Sequence, residues 1–176
     1  VLFVWLILLT HKTVQMKELI RDIEFEDFME ALNDASSISE SDVLELLCEA
    51  ILCRRNRIVG YLVNQQIDVN KSPASNVTWF PIHIAIEEMN LEAVELIIKA
   101  NGNINLADGS GTTPLHHAVD IEADSAWQKQ VEPVPIISKY LLENGADANL
   151  ADDEGRTAID MARDYEYQAF LDLLRK

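Results

Sequence analysis

The sequence predicts an all-α solenoid, in which short pairs of helices stack one on another along the chain. The first observation is a recurring motif: residues 80–85 read FPIHIA, residues 112–118 read TTPLHHA and residues 157–162 read TAIDMA. The second is a block of apolar residues after each motif. The third is spacing, because Pro81 and Pro114 are 33 residues apart, a period typical of repeat proteins built from helix pairs.

A fourth, less regular copy of the motif occupies residues 46–50, LLCEA, and three copies end in a short polar tail. The tails are Asp68-Val69-Asn70, Asn103-Ile104-Asn105 and Asp147-Ala148-Asn149. This combination resembles the ankyrin repeat over about residues 40–176. The resemblance implies pairs of inner and outer helices. Their concave inner face and projecting loops would bind proteins without catalysing a reaction. It places the repeats at about 41–75, 76–108, 109–152 and 153–176 of an ankyrin domain spanning 41–176.

Departures from the family pattern are concentrated in the end repeats. Leu46 and Cys48 stand where the first repeat should have proline and histidine, and the fourth repeat departs at the same two positions. An end repeat has a neighbour on one side only, which relaxes its packing. In the tails, Gly145 suits the left-handed turn after an outer helix, and Asn101 is the next-best residue type there.

The inner helices have recognisable starts. Pro81 and Pro114 fit the first helical turn, where an amide hydrogen would be unpaired in any case. Thr113 and Thr157 precede such turns and are natural N-caps. Phe80 has no side-chain acceptor, so the second repeat is expected to start more weakly.

The histidines of the motif invite a metal or catalytic interpretation. In the family that the chain resembles, however, the imidazoles at the positions of His83 and His116 bridge backbone groups of neighbouring loops. We expect His117 to lie on another helix face and to be exposed. Leu115 is expected to be fully buried between helices.

The N-terminal region divides into an apolar segment, residues 1–15, and an acidic amphipathic segment, residues 16–40. The run VLFVWLILL is too short to span a bilayer; it fits the remnant of a signal or anchor, a stretch upstream of a start at Met16, or a segment docked on the first repeat. The second segment predicts a helical cap, or alternatively an acidic peptide for a partner's groove. Ser37 and Glu40 are spaced as a capping box.

Composition restricts the possible partners. The chain has 30 Asp and Glu against 14 Lys and Arg, a formal net charge of −16. Such a charge repels nucleic acid and anionic membranes and favours a basic protein partner. Cys48 and Cys53 lack zinc or redox spacing, and free cysteines suit a reducing compartment. A cytoplasmic location is expected, with secretion or membrane tethering as the alternative if residues 1–9 are a targeting remnant.

Candidate binding residues lie in the loops before the inner helices, at 71–79, 106–112 and 150–156. They are the aromatic Trp79, which is either tucked against a neighbour or an exposed anchor, and the acids Asp108, Asp152, Asp153 and Glu154.

An insertion between the helices of the third repeat is the other candidate. It has about eleven extra residues near 121–134, with Trp127 and the acids Glu122, Asp124 and Glu132. It either binds a partner or packs on itself. Arg54, Arg55 and Arg57 form a basic cluster, which is expected to be a solvated turn with small effects on stability or, alternatively, an anion or acidic-partner contact.

The sequence contains no phosphate-binding loop and no nucleophile paired with a base, so we expect neither an enzyme nor a cofactor. The predicted function is noncatalytic protein binding by a monomer. Its specific form is an acidic inhibitor or immunity-type protein that covers a basic partner. The alternative is an adaptor or secreted effector that recruits a regulatory or host protein.

Overall fold

The computed structural model describes residues 20–34, 38–65, 67–73 and 79–175. The apolar segment 1–15 and the start considered at Met16 lie outside these residues. Nine helices are found in the described part. They are α1 Phe25–Asp34, α2 Glu40–Leu52, α3 Asn56–Leu62, α4 Pro81–Glu87, α5 Leu91–Lys99, α6 Pro114–Lys129, α7 Ile137–Glu143, α8 Ala158–Asp164 and α9 Gln168–Leu173.

The helices form four stacked pairs, α2–α3, α4–α5, α6–α7 and α8–α9. The first helices of successive pairs pack side by side as an inner row, α2 on α4, α4 on α6 and α6 on α8. Outer helices also contact one another, α3 with α5 and α7 with α9. The predicted all-α solenoid is therefore confirmed.

The recurring alanines of the motif lie where the helices pack most closely. Ala50, Ala85, Ala118 and Ala162 are all 0% exposed, and so is Leu115. A larger side chain at these alanine positions would overpack the stack. The motif is therefore a packing signal, as the sequence predicts.

Helix starts follow the expected chemistry with one correction. Pro81 and Pro114 are the first residues of α4 and α6. At α8 the capping is reciprocal, because Asp160 N donates to Thr157 Oγ1 at 3.2 Å while Thr157 N donates to Asp160 Oδ2 at 3.1 Å. The first repeat starts from Ser39, which forms a capping box with Asp42. The prediction of a box from Ser37 was wrong, since Glu40 is already the first residue of α2.

The left-handed turns also lie at predicted positions. Asn101 has a φ of 65° and Gly145 a φ of 96°. Each follows an outer helix, where the chain must reverse.

The acidic N-terminal segment packs on the first helix pair. Its apolar residues Ile20, Ile23, Phe28 and Leu32 are buried, and α1 contacts α3. The expected amphipathic spacing thus directs its apolar face to the stack.

Arg55 fastens this segment, so the solvated turn expected for the basic cluster was wrong for this residue, whereas Arg54 and Arg57 are exposed. Its guanidinium donates to the carbonyl oxygen of Ile20 at 3.1 Å and also to those of Arg21 and Ile23. Arg57 adds a second contact, with its guanidinium carbon 4.4 Å from the centre of the Phe25 ring. Main-chain carbonyls more than 30 residues away satisfy a charge that the sequence pattern assigned to solvent.

We expect Arg55→Ala to lower the free energy of unfolding by about 1.5–3 kcal/mol, the usual value for hydrogen bonds to a charged group. Arg175→Ala is the control. It removes an exposed pair with Asp172 and should change stability by less than about 0.5 kcal/mol. Urea denaturation of both variants measures the difference, and equal midpoints would contradict the role of Arg55.

Candidate partner-binding surfaces

Two surfaces of the solenoid carry the candidate binding residues. The tip surface consists of Trp79, Asp108, Asp152, Asp153 and Glu154, on loops that lead directly into the inner helices α4, α6 and α8. The other surface surrounds Trp127, thirteen residues beyond the start of α6. At about 1.5 Å per residue, Trp127 lies about 20 Å along the helix from that start. The structure therefore separates the predicted residues into two surfaces.

Trp79 is tucked rather than free. It is half-buried, and its ring lies 5.8 Å from the imidazole of His117, centre to centre, at an interplanar angle of 83°. His117 Nε2 lies 3.0 Å from Glu87 Oε2, and its side chain is 16% exposed. The expectation that His117 is exposed was wrong, because Trp79 and Glu87 cover it.

Two acids of the tip surface shape the loops. Asp108 Oδ1 accepts hydrogen bonds from the backbone N–H groups of Ser110 at 2.8 Å and Thr112 at 3.0 Å. Asp152 Oδ1 accepts from the N–H groups of Glu154 and Arg156, each at 2.9 Å. The Arg156 N–H is the main cause that holds the pKa of Asp152 below its usual value. These carboxylates fix the turns from within.

The other two acids of the tip surface, Asp153 and Glu154, are exposed. The backbone N–H of Asp153 donates to Ser110 O at 3.0 Å and joins two neighbouring loops. Gly111 permits this approach. Its φ is 76°, and a Cβ at this position would lie only 2.8 Å from Asp153 N, which is too close for any other residue. Glu154 is paired with Arg156 at 3.3 Å.

His83 and His116 bridge neighbouring loops as expected. His83 Nε2 lies 3.2 Å from Thr112 O, and His116 Nε2 lies 3.0 Å from Arg156 O. The other ring nitrogen differs between them, since His116 Nδ1 is 2.8 Å from Thr113 Oγ1. Phe80 occupies the equivalent position for His83, whose Nδ1 is buried without a hydrogen-bond partner among the described residues. Burial, with neighbouring His117, lowers the pKa of His83 to about 4.

We expect His83 to make the protein less stable in acid. Above its ordinary pKa of about 6.5 the ring is neutral in both states, but below it the unfolded chain binds a proton that the folded one excludes. The free energy of unfolding should therefore fall by up to about 2 kcal/mol from pH 7 to pH 5. NMR titration of the His83 ring tests this, with His83→Gln as the variant that should show a shallower pH dependence. A ring that titrates near pH 6.5 would contradict it.

The insertion of the third repeat is mainly an extension of the inner helix, not a loop. Helix α6 has 16 residues and α4 has 7, so α6 projects about 13 Å further. It ends at Lys129 and is followed by Gln130, which has a φ of 54°. Residues 130–136 then return the chain to α7.

An apolar surface is exposed around this extension. Trp127 is 83% exposed, and Val131 and Tyr165, which line the same groove, are exposed as well. Val134 and Ile136, on the return to α7, are also exposed. A groove of about 710 Å³ lies between the extension and the turn that joins α8 to α9. We call it the far-end groove. It is lined by Asp120, Ile121, Ala123, Asp124, Ala126, Trp127, Val131, Pro133, Asp164, Tyr165 and Glu166.

Glu122 fixes the extension in place. In the sequence alone it is only one of several acids in the insertion. It is 2% exposed. Its Oε1 accepts from the backbone N–H groups of Ile136, Ile137 and Ser138 at 2.8, 2.6 and 3.2 Å. Its Oε2 accepts from Ser138 Oγ at 2.5 Å and Tyr167 Oη at 3.1 Å. Burial raises the pKa of the carboxyl group, while these hydrogen bonds oppose the rise.

In the described part of the chain, no group of three or more His, Cys, Asp or Glu side chains is arranged to hold a metal ion. Cys48 is buried, which raises the pKa of its thiol to about 12. Of the helices described, none has both the length and the apolar character needed to cross a bilayer.

Similar proteins agree with the fold. The protein phosphatase 1 regulatory subunit 27 of Homo sapiens is 31% identical over 94 residues, 53% of each chain. The E3 ubiquitin-protein ligase KEG of Arabidopsis thaliana is 35% identical over 83 residues, 47% of this chain and 4% of its own length. Rabankyrin-5 of Homo sapiens is 29% identical over 126 residues, which cover 65% of this chain and 10% of its own length. The chain thus spans about half the length of the regulatory subunit and little of the longer proteins.

Family models give the assignment. The model for ankyrin repeats in three copies matches residues 47–127, and the model for a single ankyrin repeat matches residues 110–153. Together the two matches span more than half of the chain. Stacked helix pairs, histidine bridges between loops and buried motif alanines agree with them. The repeats accordingly form a protein–protein interaction module, and the chain belongs to the ankyrin-repeat family.

Proposed function

We propose that this chain is a noncatalytic module that binds a basic protein partner, in the manner of an inhibitor or regulatory subunit. The observation that carries the proposal is Trp127, 83% exposed on a helix whose position is fixed. A relative that matches half of the chain is named a regulatory subunit of a phosphatase. That name supports a regulatory role here without identifying the partner.

Contact between the apolar ring of Trp127 and water is unfavourable in free energy, and a partner that covers the ring removes this contact. Large contiguous apolar patches on soluble proteins mark interaction sites, and tryptophan is enriched among the residues that dominate binding energy. The Glu122 hydrogen bonds hold the insertion in one arrangement, so little conformational freedom remains to be lost on binding. Rigid presentation of an aromatic anchor suits specific recognition.

Charge selects the kind of partner. With a net charge of −16, the protein attracts basic surfaces and repels acidic ones, which raises the association rate at low salt. The acids Asp124, Asp164 and Glu166 are exposed beside Trp127. We propose that long-range attraction brings the partner to this surface and that the aromatic contact retains it.

The described side chains support a noncatalytic role. His83 and His116 hold backbone carbonyls, and His117 pairs with Glu87. A thiol with a pKa of about 12, as at Cys48, is no nucleophile at neutral pH. We therefore propose binding rather than catalysis. The monomeric state and cytoplasmic location expected from the sequence are part of this proposal.

Affinity capture with the full chain, followed by titration calorimetry with the purified partner, tests this function. We expect a basic partner whose affinity falls as salt rises. Trp127→Ala should weaken binding at least about thirtyfold, the effect of losing about 2 kcal/mol, with the circular dichroism unchanged. Leu52→Ala, at an exposed apolar residue of the first repeat, is the control and should leave the affinity unchanged.

An acidic partner, or an affinity that does not depend on salt, would contradict the proposal. Equal affinities of Trp127→Ala and the parent would move the interface to the tip surface. There, the half-buried Trp79 and the exposed Asp153 are the next residues to replace.

An adaptor is the second candidate, favoured by the separation of the two surfaces along the stack. An adaptor holds two proteins at once, one at the tip surface and one at the far-end groove, whereas an inhibitor lowers the activity of a single partner. Light scattering of the chain with its captured proteins distinguishes a ternary complex from a binary one.

A further inference from the structure

We infer that the far-end groove is a binding site for an arginine side chain presented by a peptide segment of the basic partner. The inference rests on the proposed function and names the chemical group that its surface recognises. Three properties of the groove lead to it: aromatic walls, a floor of small residues, and a rim of acids.

The walls and floor suit a long side chain with a flat, charged end. Trp127 and Tyr165 line the groove and are both exposed, at 83% and 46%. Ala123 and Ala126 form part of its lining and are buried, so their small side chains leave space between the walls. Its volume of about 710 Å³ is in the range of about 300–1,000 Å³ found for sites that enclose small ligands.

The lining provides carboxylates and contains no cation. No lysine or arginine is found among the groove's lining residues, all of which lie in the described part of the chain. Asp120 accepts a hydrogen bond from the Tyr165 hydroxyl, and Asp124 accepts one from Gln128 Nε2 at 2.6 Å. Asp164 and Glu166 are exposed and have no side-chain hydrogen bond or ion pair with another described residue. These two carboxylates are free to pair with an incoming cation.

Elsewhere in the protein, an arginine contacts an aromatic ring and a carboxylate at the same time. The Arg57 guanidinium lies over the Phe25 ring at 4.4 Å while its Nη2 is 3.2 Å from Glu26 Oε1. The far-end groove has both kinds of group, aromatic rings and carboxylates, in its lining. A guanidinium stacks on aromatic rings and forms paired hydrogen bonds to a carboxylate, and a lysine ammonium lacks this planar fork. Arginine is therefore the cation that best fits both parts of the groove.

Charge disfavours the other occupants. A second copy of this chain would bring a net charge of −16 to an acidic rim, and nucleic acid would bring phosphates. Lys129, at the end of α6, donates to Ser125 Oγ at 2.9 Å. Arg156, whose charge acts on Tyr165, is paired with Asp152 and Glu154.

The test follows the indole N–H signal of Trp127 in ¹⁵N NMR spectra of the full chain, assigned with Trp127→Phe. The probe is the peptide acetyl-LRLRL-amide, and the matched control peptide has citrulline, a neutral isostere, at both arginine positions. We expect a saturable shift of the Trp127 signal with the arginine peptide and at least tenfold weaker binding of the citrulline peptide. The double variant Asp164→Asn, Glu166→Gln should weaken arginine-peptide binding at least tenfold. Glu132→Gln, at an exposed acid of the insertion outside the groove lining, should leave it unchanged.

Equal binding of the two peptides, or a shift of Trp79 without one of Trp127, would overturn the inference. So would a Trp127 signal that moves with protein concentration alone, which would assign the groove to a second copy. If a basic partner binds with the expected salt dependence and the arginine peptide does not, the proposed function stands and the arginine site fails. If the peptide binds and no basic partner is captured, the site stands without the proposed function.

Discussion

Replacing Glu122 with alanine is expected to lower the free energy of unfolding by about 3–5 kcal/mol, the largest effect of any single change considered for this protein. The carboxylate accepts hydrogen bonds from three backbone N–H groups and two hydroxyls in a buried position. Alanine leaves these donors without a partner, and each buried, unsatisfied group costs about 1–3 kcal/mol. Solvent that enters the cavity offsets part of the sum, so the expected loss is smaller than five full penalties.

Glu122→Gln is the matched control for this prediction. Its amide oxygen can still accept from the N–H groups of Ile136, Ile137 and Ser138, and the two hydroxyls can turn to accept from its NH₂ group. We expect less than half of the alanine effect in urea denaturation. Hydrogen exchange at residues 136–138 should accelerate in the alanine variant and change little with glutamine. Equal losses for both variants would show that side-chain volume, not hydrogen bonding, is what Glu122 contributes.

Leu115→Ala should cost about 2–5 kcal/mol, the range measured when a buried leucine is truncated and a cavity remains. Leu115 is 0% exposed on α6, which packs between α4 and α8. Since neighbouring helices hold one another in register, they have little freedom to collapse into the space. Chemical denaturation measures the loss.

Leu174→Ala, at a residue that is 38% exposed near the C-terminal end, is the control for Leu115. It should change stability by less than about 0.5 kcal/mol. A loss below about 0.5 kcal/mol at Leu115 itself would be incompatible with the packing of the third repeat.

The sequence predicted those features that a local pattern determines. The inner-helix prolines, the threonine caps and the left-handed Asn101 and Gly145 depend on a few adjacent residues. The bridges made by His83 and His116 were also expected, because the family motif carries that arrangement with it.

Interactions between distant residues were missed for a physical reason. Arg55 binds carbonyl oxygens 32–35 residues away, and every residue has a carbonyl, so no residue type marks the acceptor. Glu122 is one of 30 acids in the chain, and only the fold shows that it faces the start of α7. For the candidate site, the residues counted against the repeat spacing located the insertion that carries Trp127 but not its exposure or the groove, which the turn around Tyr165 also lines.

A local feature of the sequence does indicate the helical extension of α6. Residues 121–129 read IEADSAWQK and contain neither glycine nor proline, whereas Pro133 lies shortly after the observed end. Such a stretch favours continued helix up to the vicinity of the proline. Counting extra residues against the repeat period gave the size of the insertion but not its conformation.

The hydrogen bonds of Arg55 and Glu122 affect the cooperativity of unfolding. In a linear array each repeat touches only its neighbours, so end units fray first and intermediates with one repeat melted are common. Here Arg55 clamps the segment before the first repeat, and the Tyr167–Glu122 hydrogen bond ties the last repeat to the third. The segment before the first described repeat and the fourth described repeat each share such interactions with a neighbour, so loss of either also exposes polar groups in that neighbour. The four described helix pairs are in this way expected to unfold as one unit, with short-lived open forms.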